Sequence, residues 1–176
     1  LETIKQTAEL LLRLIDDILD FSRIERGDIR LEKSDIDLQK FCRDTLYLME
    51  PQADAKALEV HYEHSFTGDS PLDARPVINT DIGRLKQIVL NFVGNAIKFT
   101  NKVPITVKSK IESEAQNSDY LRIEIIDTGL GIRNDDLQQL FKPFSQVYGS
   151  LTSRDAALAL GLAISRNCSH SLRSVS

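Results

Sequence analysis

The feature that most constrains the fold is a long amphipathic segment, DIGRLKQIVLNFVGNAIKFT, at residues 81–100. Its apolar side chains recur at helical spacing, which predicts a helix with one buried face. The residues predicted to form that face are Leu85, Ile88, Val89, Phe92 and Ala96. Residues 103–112 and 119–127 are predicted strands around a short polar tip, and we expect them to be antiparallel neighbours. Together these elements predict an α+β fold, a two-layer α/β sandwich.

Shorter elements are predicted before that helix. Residues 37–56 are predicted to be helical, with Asp37 as the N-cap and Pro51 marking a kink or a helix end. The alternating stretch LEVHYEHS predicts a half-buried strand over residues 58–65, and VINT predicts another, shorter strand. IRLEKSDIDL is predicted to be a strand-like connector. Residues 134–141 and 157–167 are predicted to be the last two helices.

Residues 1–25 are predicted to form one long helix of a bundle. Two neighbouring apolar stripes follow heptad spacing through it, which is typical of helices that pack on other helices. The first stripe is Leu1, Ile4, Ala8, Leu11, Ile15 and Ile18, and the second is Leu10, Leu14, Phe21 and Ile24. The partner predicted for this helix is a second copy of the chain. An amphipathic helix packed on its own domain is the alternative.

Bulk composition excludes several classes of partner and site. The net charge is −4 and there is no long basic run, so nucleic acid is excluded as a partner. Cys42 and Cys168 are far apart and outside any CxxC pair, which indicates reduced cytosolic thiols. His61 and His64 lie on a predicted strand and show no zinc-ligand spacing with the cysteines. No signal peptide or membrane-spanning helix is visible in the sequence.

A polar row on the helix of residues 81–99 is the first candidate site. Asparagine is a weak helix former, so two asparagines one turn apart suggest a role other than solvation. Amide oxygens can ligate Mg²⁺ without adding charge, while amide NH₂ groups and a lysine can meet phosphate oxygens. A plain solvated face is the alternative. The row consists of Arg84, Gln87, Asn91, Asn95 and Lys98.

Two later stretches are further candidates. In RIEIIDTGLGI an apolar strand runs into Asp127, and a buried carboxylate there needs a donor such as the exocyclic amine of adenine. Gly129 and Gly131 would let a flat base approach the backbone, although a tight turn with two glycines is the alternative. In LFKPFSQV, Phe141 and Phe144 would anchor the base of a flexible lid or simply pin the loop to the core.

The order of these elements resembles the ATP-binding domain of sensor histidine kinases, over roughly residues 1–167. LLRLIDDILDFSRIERGDIRLEKSDIDL is similar to the second helix of that family's dimerisation hairpin and its linker. DILDFSRIE, NAIKFT and FKPFSQ are most similar to the hybrid type, whose output is a phosphorelay. The resemblance implies an ATP site, with Asn91, Asn95 and Lys98 on the Mg²⁺–triphosphate and Asp127 on adenine. It also implies that Gly129 and Gly131 shape the pocket.

The lid is where the sequence departs from that family. The family's GGxGLGL stretch falls on residues 156–162, where Ala156, Ala157 and Ala159 replace glycines and Gly161 remains. Those glycines let backbone N–H groups approach the β- and γ-phosphates. A Cβ at each position crowds that approach and favours helix by about 1 kcal/mol. We therefore expect a shorter, stiffer lid and a last helix that begins early.

The expected domain organisation follows the resemblance. Residues 1–26 would be the second hairpin helix, 27–36 the linker, and 37–176 an ATP-binding domain that is incomplete at its C-terminus. The chain is expected to be truncated at both ends and to lack the phosphoacceptor histidine, so no catalytic residue is assigned within it. The expected partners are a second copy through residues 1–25 and a response regulator receiver domain. Any membrane attachment is expected outside this chain, which leaves a cytoplasmic domain or the cytoplasmic part of a receptor.

Three functions are compatible with the resemblance. The first is the catalytic portion of a histidine kinase, which would bind Mg·ATP and pass the γ-phosphoryl to a histidine on another helix. The second is a degenerate kinase that acts as a dimerisation and nucleotide-binding module. The third is a gyrase-like ATPase, which would need a carboxylate on the helix of residues 81–99 to act as the base for attack by water. No Glu or Asp lies between Gly83 and Thr100, which argues against hydrolysis as the main activity.

Overall fold

The computed structural model describes residues 31–65, 76–114, 118–129 and 131, together with Ala8, Leu12, Ile15, Leu19 and Ser22. The chain divides into two compact units, Lys33–Gly131 and a second one made of Leu1–Glu32 with Ile132–Ser176. In the second unit, the five described residues before residue 31 are all helical, as predicted. The helices predicted over residues 134–141 and 157–167 lie outside the described residues.

The two longer helices described in the unit Lys33–Gly131 begin at aspartate N-caps, because a short carboxylate can accept the backbone N–H groups that the first turn leaves unpaired. Helix α1 spans Leu38–Tyr47, and Asp37 Oδ1 accepts the N–H of Lys40 at 2.9 Å, which confirms the predicted cap. The predicted helix 37–56 is in fact two helices, because α2 (Glu50–Asp54) starts again with Pro51 in its first turn. Helix α3 spans Ile82–Phe99 and is capped by Asp81.

Five strands form two small sheets within the same unit. Strands β1 (Lys33–Asp37) and β3 (Val77–Asp81) pair antiparallel. Strand β2 (Val60–Ser65) runs parallel to β4 (Ile105–Glu114), and β4 pairs antiparallel with β5 (Ser118–Ile126), in the order β2–β4–β5. The predicted antiparallel pair and the α+β class are therefore confirmed. A parallel pair needs a crossover, and α3 lies in the connection between β2 and β4.

The core lies between one face of the three-stranded sheet and the helices. Along β4, Ile105, Val107 and Ser109 are fully buried, while Lys108 on the opposite face pairs with Glu63 at 2.9 Å. This alternation follows from the two-residue period of a strand. Burial of the inward side chains removes apolar surface from water at roughly 25 cal/mol per Å², which is the main favourable contribution to folding this unit.

The predicted buried face of α3 is partly wrong. The buried residues are Leu85, Val89, Val93, Ala96 and Ile97. Ile88 and Phe92 are only partly buried. The helix has apolar side chains over a wide arc, and the core that it shares with α1 and the strands covers the part of that arc farther from the polar row. Ile88 and Phe92 lie on the remaining part, between the core and the polar row.

A polar cluster around the buried Ser109 joins α1 to the sheet. Ser109 Oγ lies 2.8 Å from the Tyr62 hydroxyl and 2.7 Å from His64 Nδ1. Burial raises the pKa of the Cys42 thiol, which lies beside the same two hydroxyls, and burial also raises the pKa of the Tyr62 phenol. Burial lowers the pKa of His64, with the nearby Asp37 carboxylate acting in the opposite direction. These groups are therefore held in their neutral forms near neutral pH.

His64 predicts a loss of stability in mild acid. Because the pKa of His64 is lowered in the folded state, the unfolded chain binds its proton first, and the free energy of unfolding falls as pH drops below about 6.5. Urea unfolding above and below that pH should show a smaller loss for His64→Gln than for the unmodified chain. His61→Gln, on the exposed side of the same strand, is the matched control and should keep the full loss. An equal loss in all three chains would contradict the assignment.

Candidate functional site

The polar row of α3 lies on a partly exposed face of the helix. All five of its residues, Arg84, Gln87, Asn91, Asn95 and Lys98, are neither buried nor fully exposed. Arg84 donates to Gln87 Oε1 at 3.1 Å, one turn before Asn91. The Lys98 ammonium lies 5.0 Å from the centre of the Phe99 ring. The row is thus accessible to a ligand, and its amide oxygens lie on one face, as the predicted Mg²⁺–phosphate role requires.

The loop that follows β5 carries Asp127, which is exposed, so the expectation of a buried carboxylate is wrong. The preceding residue, Ile126, is also exposed, which explains why the end of this strand does not enclose the carboxylate. Asp127 Oδ1 accepts the backbone N–H of Gly129 at 2.8 Å. That bond gives the carboxylate a fixed orientation, and a carboxylate has acceptor capacity beyond one bond. A donor such as an exocyclic amine is therefore a chemically suitable ligand for it.

Gly129 brings this loop against the C-terminal end of α3. A Cβ built on Gly129 would lie 2.9 Å from the Phe99 carbonyl oxygen and 2.8 Å from Asp127 Oδ1, closer than real Cβ atoms come. Only glycine allows this approach of the two backbones. The structure therefore places Asp127 beside the end of the helix that carries Asn91 and Asn95.

Gly131 has a different role in the same loop. Its φ is +67°, a conformation that glycine adopts without strain, and no atom of the described residues lies within 4 Å of a Cβ built there. Gly131 thus leaves open space next to the loop, whereas Gly129 lies in close contact with the end of α3. These two glycines are the residues that the sequence singled out as shaping a pocket.

The donor set fits a nucleotide better than a bare metal ion. Within the described ranges, no group of three or more His, Cys, Asp or Glu side chains could hold a metal. A divalent cation at α3 would therefore depend on amide oxygens and on phosphate oxygens of the ligand, which is how Mg²⁺ commonly binds with substrate phosphates. Asp127 and the space beside Gly131 suit a base, and the row on α3 suits the phosphates. Phe141, Phe144 and Gly161 lie outside the described residues.

The C-terminal end of α3 is contacted by Lys56, a residue that the sequence patterns did not indicate. The last turn of a helix leaves carbonyl groups without helical partners. Thr100 N–H donates to the Ala96 carbonyl at 2.9 Å, and Lys56 Nζ donates to the carbonyls of Ile97 and Lys98 at 2.8 and 2.6 Å. Lys56 is 41 residues before Ile97, so no local pattern could have indicated this contact.

The fold and the site define the class of protein. It is an α+β domain in which the loop with Gly129 and Gly131 lies at the end of α3, the carboxamide helix that carries Asn91 and Asn95. Residues 80–175 match the family described as "Histidine kinase-, DNA gyrase B-, and HSP90-like ATPase", and the chain belongs to that family.

The similar proteins are sensor and hybrid histidine kinases. The chain is 42% identical over 166 residues to sensor histidine kinase GacS of Pseudomonas protegens, covering 94% of this chain and 17% of that protein. It is 34% identical over 174 residues to hybrid signal transduction histidine kinase C of Dictyostelium discoideum, covering 95% of this chain and 13% of that protein. The chain thus spans less than a fifth of the length of these relatives.

Solved structures agree with this assignment. Full-length ShkA in complex with AMPPNP is 33% identical, with a TM-score of 0.74 over 96% of this chain and 32% of that chain. The catalytic domain of histidine kinase ThkA is 22% identical, with a TM-score of 0.56 over 78% of each chain, and supports the fold alone. Among the residues that the structure describes, no helix is long and apolar enough to cross a membrane.

Proposed function

We propose that this chain is the ATP-binding catalytic portion of a two-component sensor histidine kinase of the hybrid type. It would transfer the γ-phosphoryl of ATP to a histidine outside this chain. The observation that carries the proposal is the contact of the Asp127 loop with the end of the carboxamide helix, made by Gly129 and Phe99. The ATPase family match and the sensor histidine kinase relatives support it.

Each residue of the site has a proposed role. Asp127 accepts from the adenine amine, while Gly129 and Gly131 give the base access to the backbone. Asn91 and Asn95 hold Mg²⁺ and the phosphates, and Lys98 neutralises phosphate charge. Bound Mg·ATP would supply the phosphoryl group; the task of these residues is to position it and to neutralise its charge. The resemblance to the family implies that Phe141 and Phe144 would anchor the lid and that Gly161 would be the remaining lid glycine.

The lid alanines predict weak discrimination between nucleotides. A Cβ at Ala156, Ala157 and Ala159 is expected to restrict backbone approach to the terminal phosphates, so titration calorimetry should give ATP and ADP affinities within about threefold of each other, or less than 1 kcal/mol. Restoring glycine at all three positions should raise ATP affinity relative to ADP. Much tighter binding of ATP than of ADP by the unmodified chain would refute the argument.

Phosphotransfer separates the enzyme from the alternative, a degenerate module that binds nucleotide without catalysis. The chain would be mixed with a separate helical hairpin that carries a histidine followed by an acidic residue, and with ATP radiolabelled at the γ-phosphate. Label on the hairpin supports the kinase. Nucleotide binding by calorimetry without label on the hairpin supports the module. Substitution of the hairpin histidine by glutamine is the control.

The proposed partners are a second copy of the chain and a receiver domain. Among the five residues described before residue 31, Leu12, Ile15 and Leu19 are 61%, 45% and 52% exposed, which supports pairing through residues 1–25. The stripe predicted from the sequence included Ile15 but not the two leucines. The receiver partner and the cytoplasmic location are inferred from the hybrid kinase relatives.

A further inference from the structure

The turn after α2 has an uncommon backbone for its residues. Leu58 N–H donates to the Ala53 carbonyl at 3.0 Å, and Ala57 N–H donates to the Asp54 carbonyl at 2.9 Å. This nested pair of bonds is the Schellman arrangement that ends many helices, and its left-handed residue is usually glycine. Here that residue is Ala57, with a φ of +51°. Buried Ala53 and Leu58 flank the turn and supply the apolar contact that accompanies the motif.

This turn directs the preceding residue, Lys56, towards the C-terminal end of α3. The Lys56 ammonium has three N–H donors, and three carbonyl oxygens surround it: Ile97 at 2.8 Å, Lys98 at 2.6 Å and Thr100 at 3.4 Å. A positive charge is also favourable at the negative end of a helix dipole. One side chain therefore donates to two of the last-turn carbonyls, those of Ile97 and Lys98, that Thr100 N–H leaves unpaired.

The remaining carbonyl of that turn, on Phe99, is the one that Gly129 contacts. A shift of the last turn of α3 would change this contact, because the space at Gly129 does not admit even one extra carbon atom. The position of Asp127 is linked to Gly129 through the bond from Gly129 N–H to Asp127 Oδ1. Lys56, the end of α3 and the Asp127 loop thus form one continuous chain of contacts.

We propose that Lys56 is a positioning residue for the adenine side of the nucleotide site. It acts by holding the last turn of α3 in the place where the Asp127–Gly129 loop rests. The proposal rests on the proposed function for the identity of the ligand, but the mechanical link between Lys56 and the loop stands on the contacts alone. The two parts are tested separately.

The first test uses the chain without ligand. Lys56→Met keeps the apolar stem and removes the ammonium. Hydrogen exchange followed by NMR should show the amides of Thr100 and Gly129 exchanging about tenfold faster, equivalent to 1.4 kcal/mol, with amides of β4 unchanged. Lys56→Arg, which keeps the charge and several donors, should restore most of the protection. Lys108→Met, at an exposed lysine paired with Glu63, is the matched control and should leave all these amides unchanged.

Unchanged exchange at Gly129 in Lys56→Met would overturn the proposal, whether or not the chain binds nucleotide. Faster exchange spread evenly over β4 would also overturn it, because that result indicates a loss of global stability rather than of a local contact.

The second test uses two ligands, at a temperature where circular dichroism shows each variant fully folded. Lys56→Met should weaken adenosine binding about tenfold and leave tripolyphosphate binding unchanged. Equal losses for the two ligands would overturn the adenine-side assignment. If the unmodified chain bound neither adenosine nor ATP, the proposed function would fail, and the adenine-side assignment would fail with it. The exchange result would still decide whether Lys56 holds the loop.

Discussion

Asp127→Asn is expected to weaken the binding of ATP and ADP by about ten- to a hundredfold and to leave tripolyphosphate binding unchanged. A hydrogen bond that involves an ionised group contributes about 1.5–3 kcal/mol, and this substitution removes the charge. The asparagine oxygen can still accept the Gly129 N–H, so the loop should keep its shape. The loss is therefore expected in recognition of the base and not in folding.

Titration calorimetry with ATP, ADP and tripolyphosphate measures this difference. Asp44→Asn is the matched control, because Asp44 is an exposed aspartate on α1 that pairs with Lys40, and no change in nucleotide binding is expected there. Equal loss of affinity for nucleotides and for tripolyphosphate would remove the assignment of Asp127 to adenine.

Gly129→Ala is expected to destabilise the fold by about 1–3 kcal/mol and to abolish measurable adenine nucleotide binding. The added Cβ would lie 2.9 Å from the Phe99 carbonyl oxygen, which is backbone and cannot rotate away as a flexible side chain would. Either the loop or the last turn of α3 must move, and both movements displace Asp127. Urea unfolding measures the change in stability, and calorimetry measures the binding.

Gly94→Ala is the matched control for this prediction, since it adds the same Cβ in the middle of α3. That Cβ would lie 3.6 Å from Met49 Cε, an ordinary contact, and alanine is preferred to glycine inside a helix by roughly 0.5–1 kcal/mol. The control should therefore stabilise the chain while Gly129→Ala destabilises it. Similar effects at the two positions would show that the loop is not seated on α3 as described.

Much of the fold was predictable because it depends on short-range patterns. The N-cap at Asp37 and the strands at residues 60–65 and 77–81 follow from residues within one turn or one strand of each other. The order of the carboxamide helix and the Asp127 loop along the chain is sufficient to indicate the family. Pro51 predicts a kink or a helix end, and it lies in the first turn of a separate short helix.

The rotation of α3 was not predictable in the same way. Its apolar residues occupy a wide arc, and spacing along one helix does not say which part of that arc a sheet will cover. The burial of Val93 and Ile97 in place of Ile88 and Phe92 is decided by the packing of α3 against α1 and the strands. The exposure of Asp127 likewise depends on how the end of β5 is covered and not on the apolar residues before it.

The sequence by itself determined the order of the elements, the N-cap at Asp37 and the residue types of the candidate site, because each depends on neighbours close along the chain. Only the tertiary structure decided that Gly129 rests on the Phe99 carbonyl and that Lys56 caps a helix end 41 residues away. The physical reason is that every residue carries the same backbone carbonyl group, whatever its side chain. Which side chain or loop satisfies them is determined by distances that exist only after the chain has folded.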